Sequence, residues 1–366
     1  MSEAFYNCRI YTGSEVLENA AVIIEDGIIA DLIPADQLPD EIRKTDLNGL
    51  NLAPSLIDLQ IYGGNGKLFS NDLSVDTLKA TAEYCLAGGA SHFMITMATD
   101  SIEKFLEGVA AVRAYQAEGG KGLLGLHLEG PFINVIKKGA HLQEFIIRPT
   151  KDLLEKLFEK GKGVIRMMTL APEFCEQWVY DLLHENGVII SAGHTNATFG
   201  QAFHAFDSGV PAATHLFNAM SAFQGREPGM VGAIYEHPTV MSSLVCDGVH
   251  VDFMSARISK KILGERLFFI TDAVTTTQGT YTHEFRENRY TLPDGTLSGS
   301  ALTMMQCVIN GVKKVGIQLD EALRMASLYP ARLAGLDAEM GSIKKGKKAS
   351  FLLFDDELKV CKVLSF

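Results

Sequence analysis

Between Pro54 and Leu333 the chain alternates short, almost unbroken apolar runs with longer stretches of helical periodicity. The runs fall at 56–61, 92–97, 122–128, 164–170, 188–191, 211–214, 241–246 and 267–271. Runs of this length without polar alternation predict strands buried on both faces, as in an all-parallel sheet. The segments between them read as helices. One opens at Ser74 and stops at Gly88-Gly89, with Val75, Leu78 and Cys85 on its apolar side. Another opens at Ser101, carries Phe105, Val109 and Val112 on one face, and stops at Gly119-Gly120. Further helical patterns cover 173–185, 198–206, 253–263, 304–315 and 321–325. About eight strands alternating with helices predict an α/β fold, a (β/α)8 TIM-like barrel. The alternative is an open doubly wound sheet. Polar residues close nearly every run, which favours the barrel.

The two ends of the chain are patterned differently. Residues 1–53 hold strand-like pieces at 8–11, 21–25 and 28–33, punctuated by Gly13, Gly27 and Gly49. After Gly341 comes a basic turn, Lys344-Lys345-Gly346-Lys347-Lys348, and then Phe351-Leu352-Leu353-Phe354. Together the ends predict a small, discontinuous β-sandwich domain of residues 1–53 and 341–366, with the barrel at 54–340. The lysine cluster reads as a solvated turn between strands.

Composition narrows the possibilities. With 47% hydrophobic and 21% charged residues, a large core is expected and disorder is not. A net charge of −11 argues against a nucleic-acid or anionic-membrane partner. It leaves room for a small anion held by a local arginine. No apolar run approaches the ~18 residues of a membrane span, and the N-terminal Met-Ser-Glu-Ala-Phe-Tyr-Asn lacks the features of a signal peptide. Six scattered cysteines without a Cys-x-x-Cys pair suggest reduced thiols. The expectation is a cytoplasmic protein.

The chemistry lies where runs end. Leu123–Leu128 ends on Glu129 at a Gly-Pro break, 188–191 leads into His194, 211–214 into His215, and 267–271 into Asp272. In a parallel barrel such positions converge on one face. One carboxylate and two imidazoles suit zinc with an open position, and iron, cobalt or manganese are accepted by the same set. Asp272 is then free to act as a base, against the simpler reading of a helix cap. His127 shares the strand face of Glu129 and is placed near the site. His141 and His250, in Gly139-Ala-His and Asp247-Gly-Val-His, sit in loops and read as substrate contacts. Arg226, on a Gly/Pro-rich loop, has the guanidinium to clamp a phosphate, against the default reading of a solvated loop arginine. His92, His184, His204, His237 and His283 have no supporting context and read as structural.

These motifs resemble the amidohydrolase superfamily, and within it the N-acetylglucosamine-6-phosphate deacetylases. The resemblance rests on Pro54-Ser-Leu-Ile-Asp-Leu-Gln60, His127-Leu-Glu-Gly-Pro-Phe132, Lys138-Gly-Ala-His141, Ser191-Ala-Gly-His194-Thr and Thr214-His-Leu-Phe-Asn-Ala-Met220. Asp247-Gly-Val-His250, Thr271-Asp-Ala273 and Leu297-Ser-Gly-Ser300 continue it in the same order. It implies metal ligation by Glu129, His194 and His215, with Asp272 as general base and then acid. It implies substrate contacts from Ala140, His141, Asn218, Ala219, Arg226, His250 and the Leu297, Ser298 and Gly299 backbone. The implied reaction is hydrolysis of the acetamide of an N-acetylglucosamine 6-phosphate. The implied assembly is a homodimer, in which Arg226 or His250 serves a neighbour's site.

Departures from the family pattern carry information. Many amidohydrolases place His-x-His after the first strand, where this chain has Gln60-Ile-Tyr62. Neither an amide nor a phenol is a common transition-metal ligand. No lysine ends the fourth run, so a bridging carbamylated lysine is not expected, and one divalent metal per chain follows. Gln60 is an accessory candidate, either orienting a site group or satisfied at the barrel mouth. Ser55 replaces a usual Gly and Ser350 a usual Asp. Competing readings are a deacetylase for the galactosamine epimer, another amidohydrolase, or a metal-binding barrel without catalysis.

Overall fold

The computed structural model describes residues 2–366. Eight parallel strands form one sheet: Leu56–Ile61, Ala90–Ala98, Leu123–Glu129, Ile165–Leu170, Ile189–Ala192, Ala212–Ala213, Met241–Leu244 and Leu267–Phe269, each beside the next in chain order. The sheet closes on itself. Asp272 donates its N–H to the Gln60 carbonyl at 3.0 Å, and Tyr62 donates to that of Ala273 at 2.9 Å. Each run forms a strand because its residues are buried on both faces, with Leu56–Ile61 buried throughout. The open-sheet alternative is thereby set aside.

Helices follow most strands close to the expected places, including Val75–Ala87, Ile102–Ala117 and Phe253–Leu263. Three further helices lie where the sequence reading placed none, the short Leu328–Leu333 among them. Lys151–Gly161 is capped by the Thr150 hydroxyl accepting from Leu153 N–H, and it buries Leu154, Leu157 and Phe158 at helical spacing. Gly229–Glu236 is buried from Gly229 to Ile234. An all-round apolar helix has no polar face to betray its period, and its Gly/Pro-rich approach reads as loop. A hairpin of Glu284–Arg286 and Arg289–Thr291 was likewise not anticipated.

The chain divides into two compact units. One holds Leu59–Tyr84 and Phe93–Leu302; the other holds the residues up to Asp58, Cys85–His92 and Thr303–Phe366. The second contains a sandwich built from both chain ends. A four-stranded sheet comes from the N-terminal segment alone, and a five-stranded sheet joins Asn51–Pro54 and Arg9–Tyr11 to Ser350–Phe354 and Val360–Ser365. Phe5, Val22 and Ile24 of one sheet bury against Ile10, Leu52, Phe351 and Leu353 of the other. On sheet membership we propose 1–53 with 341–366 as the sandwich domain. The two departures Ser55 and Ser350 meet within that second compact unit: their hydroxyls are 2.7 Å apart, with Ser91 Oγ 2.5 Å from Ser55.

Candidate active site

The C-terminal ends of the barrel strands deliver the titratable groups. Glu129 is the last residue of the third strand, and His194, His215 and Asp272 stand just past the fifth, sixth and eighth. His194, His215 and Asp272 have φ of 47°, 38° and 54°. This left-handed region costs a non-glycine residue on the order of 1–3 kcal/mol and persists only where the surroundings pin it. The pins are visible. His215 N–H donates to Ser243 Oγ at 2.8 Å, the His194 carbonyl accepts from Asn134 N–H at 2.8 Å, and the Asp272 carbonyl accepts from Ser300 N–H at 2.9 Å. Glu173, past the fourth strand, accepts from Asn134 Nδ2, Thr195 Oγ1 and Asn196 N–H, fastening the loop that carries His194.

Glu129 is the centre of the cluster. Its Oε1 lies 3.3 Å from His194 Nε2 and 3.1 Å from His215 Nε2, and these two nitrogens are 3.1 Å apart. Its Oε2 lies 3.2 Å from His141 Nε2. Geometry also admits a different triad, Glu129, His141 and His194, whose ligand atoms lie within 4.8 Å of one another. The backbone decides between the two histidines. His194 Nδ1 faces the Lys137 carbonyl at 2.8 Å and must donate to it, which leaves Nε2 a lone pair aimed at the cluster. His141 Nδ1 instead accepts the Thr99 N–H at 3.0 Å, so its proton sits on Nε2 and points at Glu129. Burial, with His194 adding to it, takes the His141 imidazole down to about 4, so it is a neutral donor. A lone pair on His194, a carboxylate oxygen and His215 Nε2 all face one point. That donor set calls for a cation, and a divalent metal fits it. Burial opposes charge on both Glu129 and His215. His194 first, and then hydrogen bonds from His141 and His215, nonetheless hold the Glu129 carboxyl well below its usual range, while the Glu129 contact lifts His215. His215 Nδ1 has no hydrogen-bond partner among the described residues.

Asp272 faces this cluster. Its Oδ1 accepts from Gln60 Nε2 at 3.0 Å, and its Oδ2 is 3.8 Å from His250 Nε2. Burial lifts the Asp272 carboxyl above the ordinary value; His250 opposes and the Glu129 charge adds. His250 Nδ1 donates to Asp247 Oδ2 at 2.6 Å, which fixes the ring and places it beside Asp272. Gln60 Nε2 also donates to Glu129 Oε1 at 3.0 Å, and the Tyr62 hydroxyl donates to Glu129 Oε2. Burial and the charges of Glu129 and Asp272 raise the Tyr62 phenol well above its usual value, so it stays a donor.

These groups open into a cavity of about 370 Å³. Ala140, His141, Asn218, Ala219, His250, Leu297, Ser298 and Gly299 all line it, as do Glu129, His194, His215 and Asp272. Arg226 is exposed and is not among the lining residues. His127, placed near the site from sequence, lies beneath it: Nδ1 meets the Leu59 carbonyl at 3.2 Å, Nε2 meets Thr169 Oγ1 at 2.8 Å, and burial takes it to about 4. Sequence reasoning did not name Tyr281, read His283 as structural, and weighed Tyr62 only as a metal ligand; all three line the cavity. His283 carried no motif, and only the hydrogen bond to Ser298 ties it to the recognisable Leu297-Ser-Gly segment.

Comparison with known proteins agrees with this geometry. The profile of the amidohydrolase family matches residues 51–364, and that of the NagA composite domain matches 4–52. An N-acetylglucosamine-6-phosphate deacetylase of Haemophilus influenzae is 37% identical over 98% of this chain and 97% of its own length. An N-acetylgalactosamine-6-phosphate deacetylase of Shewanella is 31% identical over 97% of this chain and 92% of its own. The crystal structure of N-acetylglucosamine-6-phosphate deacetylase from Pasteurella multocida superposes with a TM-score of 0.95 at 36% identity, covering 100% of this chain and 98% of that one.

Proposed function

Because this chain belongs to the amidohydrolase family, we propose that its cavity hydrolyses the acetamide of N-acetyl-D-glucosamine 6-phosphate, giving D-glucosamine 6-phosphate and acetate in amino-sugar catabolism. The observation that carries this reading is the meeting of Glu129, His194 and His215 with Asp272 in one cavity. Glu129, His194 and His215 would hold one divalent ion, zinc in the first instance. Bound there, the ion supplies Lewis acidity, polarising the amide carbonyl and acidifying a neighbouring water.

The rest falls to the chain's own groups. Asp272, ionised, takes the proton from the attacking water as the new C–O bond forms at the acetyl carbon. It returns that proton to the nitrogen as the C–N bond breaks, so the amine leaves neutral. His141 Nε2–H points into the cluster and can donate to the acetyl oxygen as charge gathers there. Gln60 holds Asp272 and Glu129 at a fixed separation through its two donated bonds. His250, fixed by Asp247, lies against the base. Asn218, Ala219 and the 297–299 segment form the remaining walls for the sugar.

Among the described residues, Lys137 is the only lysine or arginine lining the cavity. Arg226 then serves the phosphate from a second copy, and the enzyme is read as a homodimer. Supporting this, Phe223 is 60% exposed just before Arg226, and Met254, Ile258 and Ile262 make an exposed apolar stripe on the helix Phe253–Leu263. Among the described residues no helix is long and apolar enough to cross a membrane, and six free cysteines accord with a cytoplasmic setting.

Acetate release from four sugars, the N-acetyl derivatives of glucosamine and galactosamine with and without the 6-phosphate, tests the reading. Turnover highest on N-acetylglucosamine 6-phosphate is expected; preference for the galactosamine phosphate replaces it with the epimer's deacetylase. Arg226→Ala is expected to raise KM for the phosphorylated sugar about tenfold or more, the loss of one charge-assisted contact. An equal rise for the unphosphorylated sugar removes Arg226 from phosphate binding.

A further inference from the structure

One imidazole in the cavity wall has no part in the reaction as described. His283 is 5% exposed and lines the cavity beside Leu297, Ser298 and Gly299. Three restraints hold it. Its N–H donates to the Thr277 carbonyl at 3.1 Å and its carbonyl accepts from Thr277 N–H at 3.2 Å. Its Nδ1 lies 2.8 Å from Ser298 Oγ. Its ring stacks on Tyr281 at an interplanar angle of 10° and a centroid distance of 6.4 Å, and the Tyr281 hydroxyl is itself tied to the Thr99 carbonyl at 2.6 Å. Nε2 has no hydrogen-bond partner among the described residues. A ring fixed this firmly with one nitrogen spare is a preorganised hydrogen-bonding group.

Its chemistry and place narrow what it meets. Burial takes the imidazole down to about 4, so it is neutral at neutral pH. A neutral ring has one donor and one acceptor nitrogen, and whichever role Nδ1 takes toward Ser298, Nε2 takes the other. A hydroxyl can answer either, whereas a phosphate dianion calls for a cation. Ser298 is also two residues from Ser300, whose N–H donates to the Asp272 carbonyl at 2.9 Å. His283 thus stands near the reacting end of the cavity, where the sugar ring adjoins the acetamide.

We propose that His283 Nε2 hydrogen-bonds a ring hydroxyl of the amino sugar and acts as a specificity-determining contact. The proposal rests on the deacetylase reading above. The test measures KM and kcat for N-acetylglucosamine 6-phosphate and for its 3-deoxy and 4-deoxy analogues in wild type, His283→Phe and His283→Gln. His283→Phe keeps a flat ring against Tyr281 but has no nitrogen. It is expected to raise KM for the parent sugar about tenfold, one neutral hydrogen bond, with kcat within about twofold of wild type. His283→Gln should recover most of the loss. For the analogue lacking the contacted hydroxyl, wild type and His283→Phe should show the same KM. An unchanged KM for the parent sugar overturns the proposal, and so does an equal rise for the parent and both analogues. The deciding quantity is how the variant's KM change differs between the parent sugar and its analogues, so a folding defect that raises KM alike for all three cannot imitate the pattern. Wild-type turnover of the parent sugar checks the deacetylase reading separately.

Discussion

Asp272→Asn is expected to bind metal and N-acetylglucosamine 6-phosphate as the wild type does, yet to turn over at least ~10²-fold more slowly, the scale of general acid–base catalysis. The substitution is nearly isosteric. Gln60 Nε2, 3.0 Å from Oδ1, can still donate to an amide oxygen, and the other side faces His250 Nε2 at 3.8 Å with room for an N–H. What is lost is the capacity to take a proton and return it. The pH profile gives a second readout. In the wild type the base must be ionised, so kcat/KM falls as pH drops through the Asp272 pKa, and burial moves that limb upward from the ordinary carboxyl value. The limb should vanish in Asp272→Asn. Turnover close to wild type in this variant would remove Asp272 from the proton path.

Much of this was legible in the chain because the barrel is buried on both faces of its strands. Continuous apolar runs mark each strand, and the polar residue that ends a run is by construction at the barrel mouth. Glu129, His194, His215 and Asp272 each satisfy that description, and the fold brings them into one cavity. The tautomers were not legible. They depend on Thr99 N–H, 42 residues from His141, and on the Lys137 carbonyl, 57 residues from His194. Periodicity carries no information about such a pairing. Tyr62 shows a different limit: its place beside the site was legible, but a phenol is a poor metal ligand and nothing in sequence shows that its hydroxyl meets Glu129. His283 shows a third. It sits before a short hairpin in a segment without helical or strand periodicity, so nothing in sequence aims it inward.

Chelation should lower turnover by at least ~10²-fold, and one equivalent of divalent metal per chain should restore it. The expectation comes from the two halves of the site. On one side, Glu129 Oε1, His194 Nε2 and His215 Nε2 converge at 3.1–3.3 Å, with the Lys137 carbonyl orienting His194 from behind. Three such ligands leave a coordination position open. On the other side, Gln60 and Tyr62 stand where a second ion would need imidazoles, and both already point donors at Glu129. Gln60 also donates to Asp272. An amide N–H and a phenol O–H here do the electrostatic work of a second cation, satisfying carboxylate lone pairs that would otherwise be buried unpaired. A second ion would have to displace both. Elemental analysis of the reconstituted protein, independent of any activity assay, should therefore give one tightly held metal per chain. Glu129→Gln should reduce that content, while Gln60→Ala should leave it at one. Two tightly bound ions per fully active wild-type chain would overturn the one-metal arrangement, and with it the reading of Gln60 and Tyr62 as its substitutes for a second ion.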